Sequence, residues 1–154
     1  MREALQRFKF QGRKALNGFL SGALTRFAET HLDARENFDC VAAVPLEPGR
    51  RRERGFNQSE LLARGVARRF GVPDVSARLA RRGGAAAQST LGKALRRENV
   101  SGRFRALDPA AFAGRRVLLV DDILTTGETA SECARVLKES GAASVTVLAC
   151  ARGA

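Results

Sequence analysis

The sequence contains no tryptophan and no tyrosine, and its nine aromatic residues are all phenylalanine, 6% of the chain. That is a poor stock of stacking platforms for single-stranded nucleic acid, whose bases are commonly held on aromatic faces. Cysteine is scarce too. Cys40, Cys133 and Cys150 are widely spaced with no CxxC pair, so no zinc ribbon is encoded. Cys133 falls on the apolar side of an expected helix, and Cys40 and Cys150 end or flank strand-like runs; all three read as buried, reduced, structural thiols. His31 stands alone among polar residues and reads as a surface residue. No apolar run approaches the roughly 18 residues of a membrane span, so no membrane partner is expected. The basic start MREALQRFKFQGRK followed by ALNGFLSGAL has the outline of a signal peptide. Asn17, Gly18 and Ser21 dilute it and fit an amphipathic helix as well, so a cytoplasmic location is expected. Acidic residues are also short, 16 against 27 Lys plus Arg, giving a net charge of +11. Such a chain attracts polyanions, either a nucleic acid or a small, densely charged metabolite such as a diphosphate.

What is present suits one domain: 154 residues, 44% hydrophobic, enough for a core and too apolar for disorder. Leu16, Phe19, Leu20, Ala23, Leu24 and Phe27 recur at helical spacing. Phe38–Val44 reads as a short buried strand, and Pro45 to Gly55 as a loop dense in arginine. Phe56, Leu62, Val66 and Phe70 mark a second helix stopped by Gly71 and Pro73. Val75–Leu79 is a weak strand. Arg81 to Arg97 is rich in Gly, Ala and Arg without periodicity and reads as a long mobile loop, a length that in compact domains is usually functional or disordered. Val100–Leu107 and Arg116–Val120 read as strands, Thr126–Ser140 as a helix with a stripe of Ala130, Cys133, Ala134 and Leu137, and Ser144–Cys150 as a closing strand. Strands alternate with helices and are near-continuous apolar runs. Both features predict an α/β fold with a mainly parallel sheet covered on two faces.

Chemistry concentrates in VLLVDDILTTGET, Val117 to Thr129. A buried strand ends in Asp121 and Asp122, a turn rich in hydroxyls and glycine follows, and a helix begins at once. In an open parallel sheet, ligands sit beyond the carboxyl ends of the strands. A helix start offers unpaired N–H groups to a phosphate, Gly127 lets backbone approach it, and Thr125, Thr126 and Thr129 add hydroxyl donors. The carboxylates would repel that phosphate and are better placed to accept hydrogen bonds from sugar hydroxyls. Phosphate at one end and diol at the other describes a ribose 5-phosphate. Other readings do less well. A receiver domain needs its phosphorylated Asp much later, and too little chain follows Asp121. A Walker B strand needs a GxxxxGK[ST] loop, and none occurs. A plain buried strand with an acidic helix cap leaves the paired Asp and the TTGET turn unexplained.

The run resembles the thirteen-residue motif for phosphoribosyl diphosphate (PRPP) of type I phosphoribosyltransferases: four apolar residues, two acidic, then a Thr/Gly phosphate turn. VPLEPGRRRERGFNQSELLA from Val44 to Ala63, FKFQGRKAL near the start, Gln88 with Leu91, and RRENVSGRF from Arg96 to Phe104 resemble the ComF-like, competence-associated branch. The resemblance covers nearly the whole chain. It departs in two places: the four-cysteine ribbon many ComF-like proteins carry is not here, and a Thr of the family pattern shortly before Gln88 is Ala.

The resemblance implies a single-domain type I phosphoribosyltransferase fold, with an N-terminal helical segment at 1–36 as a hood and a core at 37–154. It implies that Asp121 and Asp122 are the catalytic carboxylates, holding the ribose 2′- and 3′-hydroxyls. Leu124, Thr125, Thr126, Gly127, Glu128 and Thr129 would bind the 5-phosphate. Pro45, Leu46, Arg50, Arg54 and Arg81 would meet the pyrophosphate, with Arg51 and Arg52 as further clamps. The segment from Arg81 to Arg97 would be a flap, and Mg²⁺, held mainly by PRPP itself, the cofactor. The expected activity is transfer of phosphoribosyl from PRPP to an acceptor the sequence does not name. The alternative is a PRPP- or nucleotide-binding, or DNA-uptake, accessory protein without turnover. PRPP is the expected partner; a homo-oligomer is compatible with the fold, and DNA is the less favoured partner. The arginine pairs Arg68–Arg69 and Arg115–Arg116 read as plain surface.

Overall fold

The computed structural model describes residues 14–32, 38–82 and 102–153. The expected flap beyond Arg82, Gln88, Leu91, the run from Arg96 to Ser101, the basic start and the boundary at residue 36 lie outside the described residues.

Helix α1 (Lys14–His31) shows its buried row at Leu20, Leu24 and Ala28, while Phe19 and Phe27 are 59% and 50% exposed. The row meeting the core is therefore i, i+4, i+8 from Leu20; Phe19 and Phe27, each one residue earlier, lie about 100° round the helix. Phe27 instead stacks on His31, centroids 4.1 Å apart, and His31 is exposed as expected. Strand β1 (Cys40–Ala43) is wholly buried. The Arg-rich segment after it is not all loop. Pro48–Arg54 is a short helix, α2: Pro48 occupies its first turn, where no N–H is needed, and Gly55 ends it with φ 76°, its N–H donating to Arg51 O at 2.9 Å. Helix α3 (Gln58–Phe70) starts at the Asn57 cap and buries Leu62, Ala63, Val66 and Ala67.

The weak strand expected at Val75–Leu79 is displaced. The Asp74 carboxylate accepts from Ser76 N at 3.0 Å and from Ser76 Oγ at 2.5 Å, turning the chain into a single 3₁₀ turn at Ser76–Arg78. Strand β2 (Leu79–Arg81) follows and pairs antiparallel with β3 (Phe104–Ala106), which is shorter than the expected Val100–Leu107. Strand β4 (Arg116–Leu124) runs four residues past its expected end, so Asp121 and Asp122 sit inside its last turn of pleat rather than after it. Helix α4 (Glu128–Glu139) leads to β5 (Ser144–Arg152).

β4 lies between β1 and β5, parallel to both. Side chains alternate across this sheet. Val41, Ala43, Leu118, Val120 and Leu148 join α1 and α3 in one apolar cluster. Cys40, Ala42, Val117 and Leu119 join Cys133, Val136 and Leu137 of α4, with Phe104 and Phe112, in the other. The α/β reading with a parallel sheet covered on two faces holds. Helix α3 therefore packs on one face and α4 on the opposite face, which opens a crevice between the carboxyl ends of β1 and β4. The amino ends are tied. Asp39 accepts from Arg116 Nη2 at 2.6 Å, from Arg116 Nε at 3.1 Å and from its N–H at 2.8 Å. Those hydrogen bonds hold the Asp39 carboxyl down at about 2, so Arg116 is a brace between strands rather than plain surface.

Cys40 and Cys133 are buried and Cys150 is half-buried, and none is in a disulfide. Burial pushes all three thiols up, Cys150 to about 12. They are inert packing residues at neutral pH. No helix among the described residues is long and apolar enough to cross a membrane.

Candidate functional site

The crevice at the carboxyl ends of β1 and β4 is a cleft of about 180 Å³. Its floor is the end of β4. Asp121 is 8% exposed, and its Oδ1 accepts from Ser59 Oγ at 3.1 Å and from the N–H of Asp122 at 2.8 Å. Asp122 is half-buried and accepts from Ile123 N at 2.8 Å. Burial raises the Asp121 carboxyl to about 6; the adjacent Asp122 charge adds to the rise, and the backbone N–H of Asp122 and the Ser59 hydroxyl oppose it. Two adjacent acids on one strand, one of them buried, carry this penalty, and such perturbed groups in a cleft are candidates for a functional site.

The loop beyond the acids is shaped by Gly127. It takes φ 81°, a left-handed conformation that a side chain would strain, and it is the cap residue of α4. Glycine has no side chain to cap the helix, so the positive end of α4 faces the cleft without a capping oxygen from that position. Leu124, Thr125, Gly127 and Thr129 line the cleft. Thr126 and Glu128 do not: Thr126 is exposed, its Oγ1 3.5 Å from the Glu128 N–H it faces.

Residues from three other elements complete the lining. Pro45 and Leu46 come from the loop after β1, Arg50 and Arg54 from α2, and Arg81 from β2, and all five line the cleft. α2 decides which arginines of the RRRER run take part. Arg50 and Arg54 are four apart and share a face, whereas Arg51 is turned away and holds Glu60 through two contacts of 2.6 and 3.1 Å. Arg52 is exposed and does not line the cleft. The Arg81 guanidinium lies over the Phe104 ring, 5.5 Å from its centroid. None of the described residues of α1 lines the cleft.

Sequence reading assigns no role to Asn57, Gln58 and Ser59, yet all three line the cleft and all are buried. Asn57 Oδ1 accepts from Ser59 N at 3.1 Å and its Nδ2 donates to Val44 O at 3.0 Å. One cap thus fixes both α3 and the loop after β1, and Ser59 extends the fixing to Asp121. The available signal was local: a polar triplet directly before the apolar stripe of α3, where three consecutive buried polar residues are not needed to start a helix. Among the described residues, no group of three or more His, Cys, Asp or Glu could hold a metal ion by itself.

Known proteins share this fold. The family model for the phosphoribosyl transferase domain matches residues 57–154. The DNA utilization protein YhgH of Escherichia coli O157:H7 is 39% identical over 109 residues, covering 71% of this chain and 47% of that protein. Competence protein F of Haemophilus influenzae is 32% identical over 153 residues, 96% of this chain and 66% of that protein. The chain spans about half to two thirds of the length of these two relatives. Among solved structures, the glutamine PRPP amidotransferase of Bacillus subtilis superposes over 95% of this chain and 30% of its own, with a TM-score of 0.62 at 21% identity, a likeness of fold. On the domain match, supported by relatives aligned over most of its length, the chain belongs to the phosphoribosyltransferase family, in its ComF-like branch.

Proposed function

We propose that the cleft binds PRPP and that the protein transfers its phosphoribosyl group to an acceptor, releasing pyrophosphate. The observation that carries the reading is the polarity of the cleft. Two carboxylates of β4 and the hydroxyl-bearing turn after it line the cleft together with Arg50 and Arg54 of α2 and Arg81 of β2. A ligand with a diol and a 5-phosphate at one end and a diphosphate at the other matches both sets of groups at once. In the transfer, the bond from the anomeric carbon to the diphosphate oxygen breaks and a bond to the acceptor forms, while the acceptor loses its proton. Positive charge grows on the ribose and negative charge on the leaving group. Asp121 and Asp122 would orient the 2′- and 3′-hydroxyls and face the growing positive charge. The arginines would receive the leaving diphosphate through charge-assisted hydrogen bonds. The turn from Leu124 to Thr129 would hold the 5-phosphate and so fix the ring.

Mg²⁺ takes few protein oxygens and fills its shell with ligand oxygens and water, so it would be held mainly by PRPP beside the two carboxylates. Asp121 and Asp122 would hold it through the ribose oxygens or water, and it would supply charge neutralisation on the departing diphosphate.

Calorimetry with Mg²⁺ and PRPP tests the site. The double substitution Asp121→Asn, Asp122→Asn is expected to abolish binding, and unchanged affinity sinks the assignment. Pyrophosphate release from PRPP, assayed across a panel of bases and amines, tests turnover.

A second reading is supported by the names of the relatives, DNA utilization and competence, and by the +11 charge. It is a PRPP-binding or DNA-handling accessory role without turnover. DNA binding of that kind weakens steeply with salt and ignores added PRPP. No DNA binding at moderate salt removes its DNA arm.

A further inference from the structure

Gln58 opens α3 at the edge of the cleft and is 2% exposed, and its Nε2 has no hydrogen-bond acceptor among the described residues. An amide donor buried without a partner is destabilising. Nothing in helix formation requires it, since the first helical position tolerates many residues and the capping is done by Asn57. A second donor in the same cleft is in the same condition: Arg81 Nε is buried and has no acceptor. Both line the cleft together with Arg50 and Arg54. Asn57 and Ser59, which flank Gln58, fix its backbone between the Val44 carbonyl and Asp121. The cleft thus holds two buried donors without acceptors beside two further arginines, and a ligand group rich in acceptor oxygens would complete them.

We propose that Gln58 is a ligand-contacting residue whose carboxamide NH₂, together with Arg81 Nε, donates to the diphosphate oxygens of the ligand. The inference rests on the PRPP reading above and deepens it by assigning the diphosphate end to a side chain outside the arginines. Gln58 would discriminate by bond count. A diphosphate, which is acceptor-only when ionised, would pair both donors; a ribose 5-phosphate, which lacks that group, would leave them unpaired.

The test compares the full chain with Gln58→Met and Gln58→Glu. Met removes all polar atoms at similar volume, and Glu keeps an acceptor and loses the donor. Each protein is titrated with pyrophosphate, PRPP and ribose 5-phosphate in Mg²⁺ by calorimetry, and its unliganded unfolding midpoint is measured. Both variants are expected to lose about tenfold or more in affinity for pyrophosphate and PRPP, and to change ribose 5-phosphate affinity by less than about twofold. Gln58→Met is also expected to unfold at the same temperature as the parent or higher, because an unpaired buried amide gives way to an apolar group. A purely structural glutamine predicts the reverse, a lower midpoint with pyrophosphate affinity intact, and that result overturns the proposal. So does a loss for ribose 5-phosphate equal to that for pyrophosphate, or full affinity in Gln58→Glu. If the parent itself binds none of the three ligands, the PRPP reading fails and takes this inference with it.

Discussion

At the scale of single residues, the site turns on how Asp121 is kept. Its carboxyl has an ordinary value of 3.8 and stands at about 6 in the folded chain, chiefly because it is buried and also because Asp122 is adjacent. An acid raised on folding works against stability at higher pH. Below about 4 both states keep the proton and there is no penalty. As pH rises through about 6 the unfolded chain has already released it, and the folded chain is left relatively worse off. The Ser59 hydroxyl opposes this by donating to the ionised form at 3.1 Å. Carboxyl-carbon NMR titration is therefore expected to place the Asp121 midpoint near 6 in the parent, higher in Ser59→Ala and lower in Asp122→Asn. A midpoint that falls or stays in Ser59→Ala contradicts the assigned hydrogen bond. The same sign makes Asp121→Asn neutral or stabilising at pH 8 while it removes ligand binding, the pattern of a residue kept for chemistry at a cost to the fold.

At the scale of elements, α1 and α3 meet at a glycine. A Cβ built on Gly65 would lie 1.7 Å from Ser21 Oγ and 3.0 Å from Ser21 Cβ. Mid-helix Gly→Ala normally gains about 0.8–1 kcal/mol, but overpacking of this kind costs about 1–3 kcal/mol. Gly65→Ala is expected to be destabilising in the parent and markedly less so in a Ser21→Ala background, with a coupling of about 1 kcal/mol in denaturant unfolding. Additive effects in the two backgrounds would show that the helices do not approach this closely. This contact was not legible in the sequence, because helical periodicity gives a face and not a partner. The same gap explains Phe19 and Phe27, which match the stripe of α1 yet are exposed. The strands were easier, since β1 and β4 are buried on both faces and read as unbroken apolar runs. Helix α2 was masked by its composition: PGRRRER has no apolar stripe, and its limits come from Pro48 and Gly55 alone.

At the scale of the molecule, the site is a consequence of topology. β1 and β4 are parallel neighbours whose following helices leave on opposite faces, so the Asp–Asp–Thr–Gly loop and the proline–arginine loop face each other across one crevice. The loop was readable because strand, acids, turn and helix are contiguous in sequence. The wall across from it was only partly readable. Its arginines were visible as a charge run, but which ones face the cleft depends on a helix, and the polar triplet at Asn57–Ser59 depends on a cap. Charge is distributed to the same effect. Arg51, Arg69, Arg78, Arg116 and Arg135 are each paired with a carboxylate; in the cleft Arg50 lies 3.9 Å from Glu47, and Arg54 and Arg81 make no salt bridge among the described residues. A ligand held there would tie together the ends of β1, β2 and β4 and the starts of α3 and α4, so its binding should be felt in global unfolding. At 100 times its dissociation constant a ligand of the native state adds about 2.7 kcal/mol, and for a chain near this size each kcal/mol moves the midpoint by about 2–4 °C. Saturating Mg²⁺ with PRPP is thus expected to raise the thermal midpoint by about 5–10 °C, and to leave Asp121→Asn within about 1 °C of its unliganded value. Duplex DNA, bound through scattered surface charge, should give a smaller shift that vanishes as salt rises. A shift by PRPP that is the same in the parent and in Asp121→Asn would place the ligand somewhere other than this cleft.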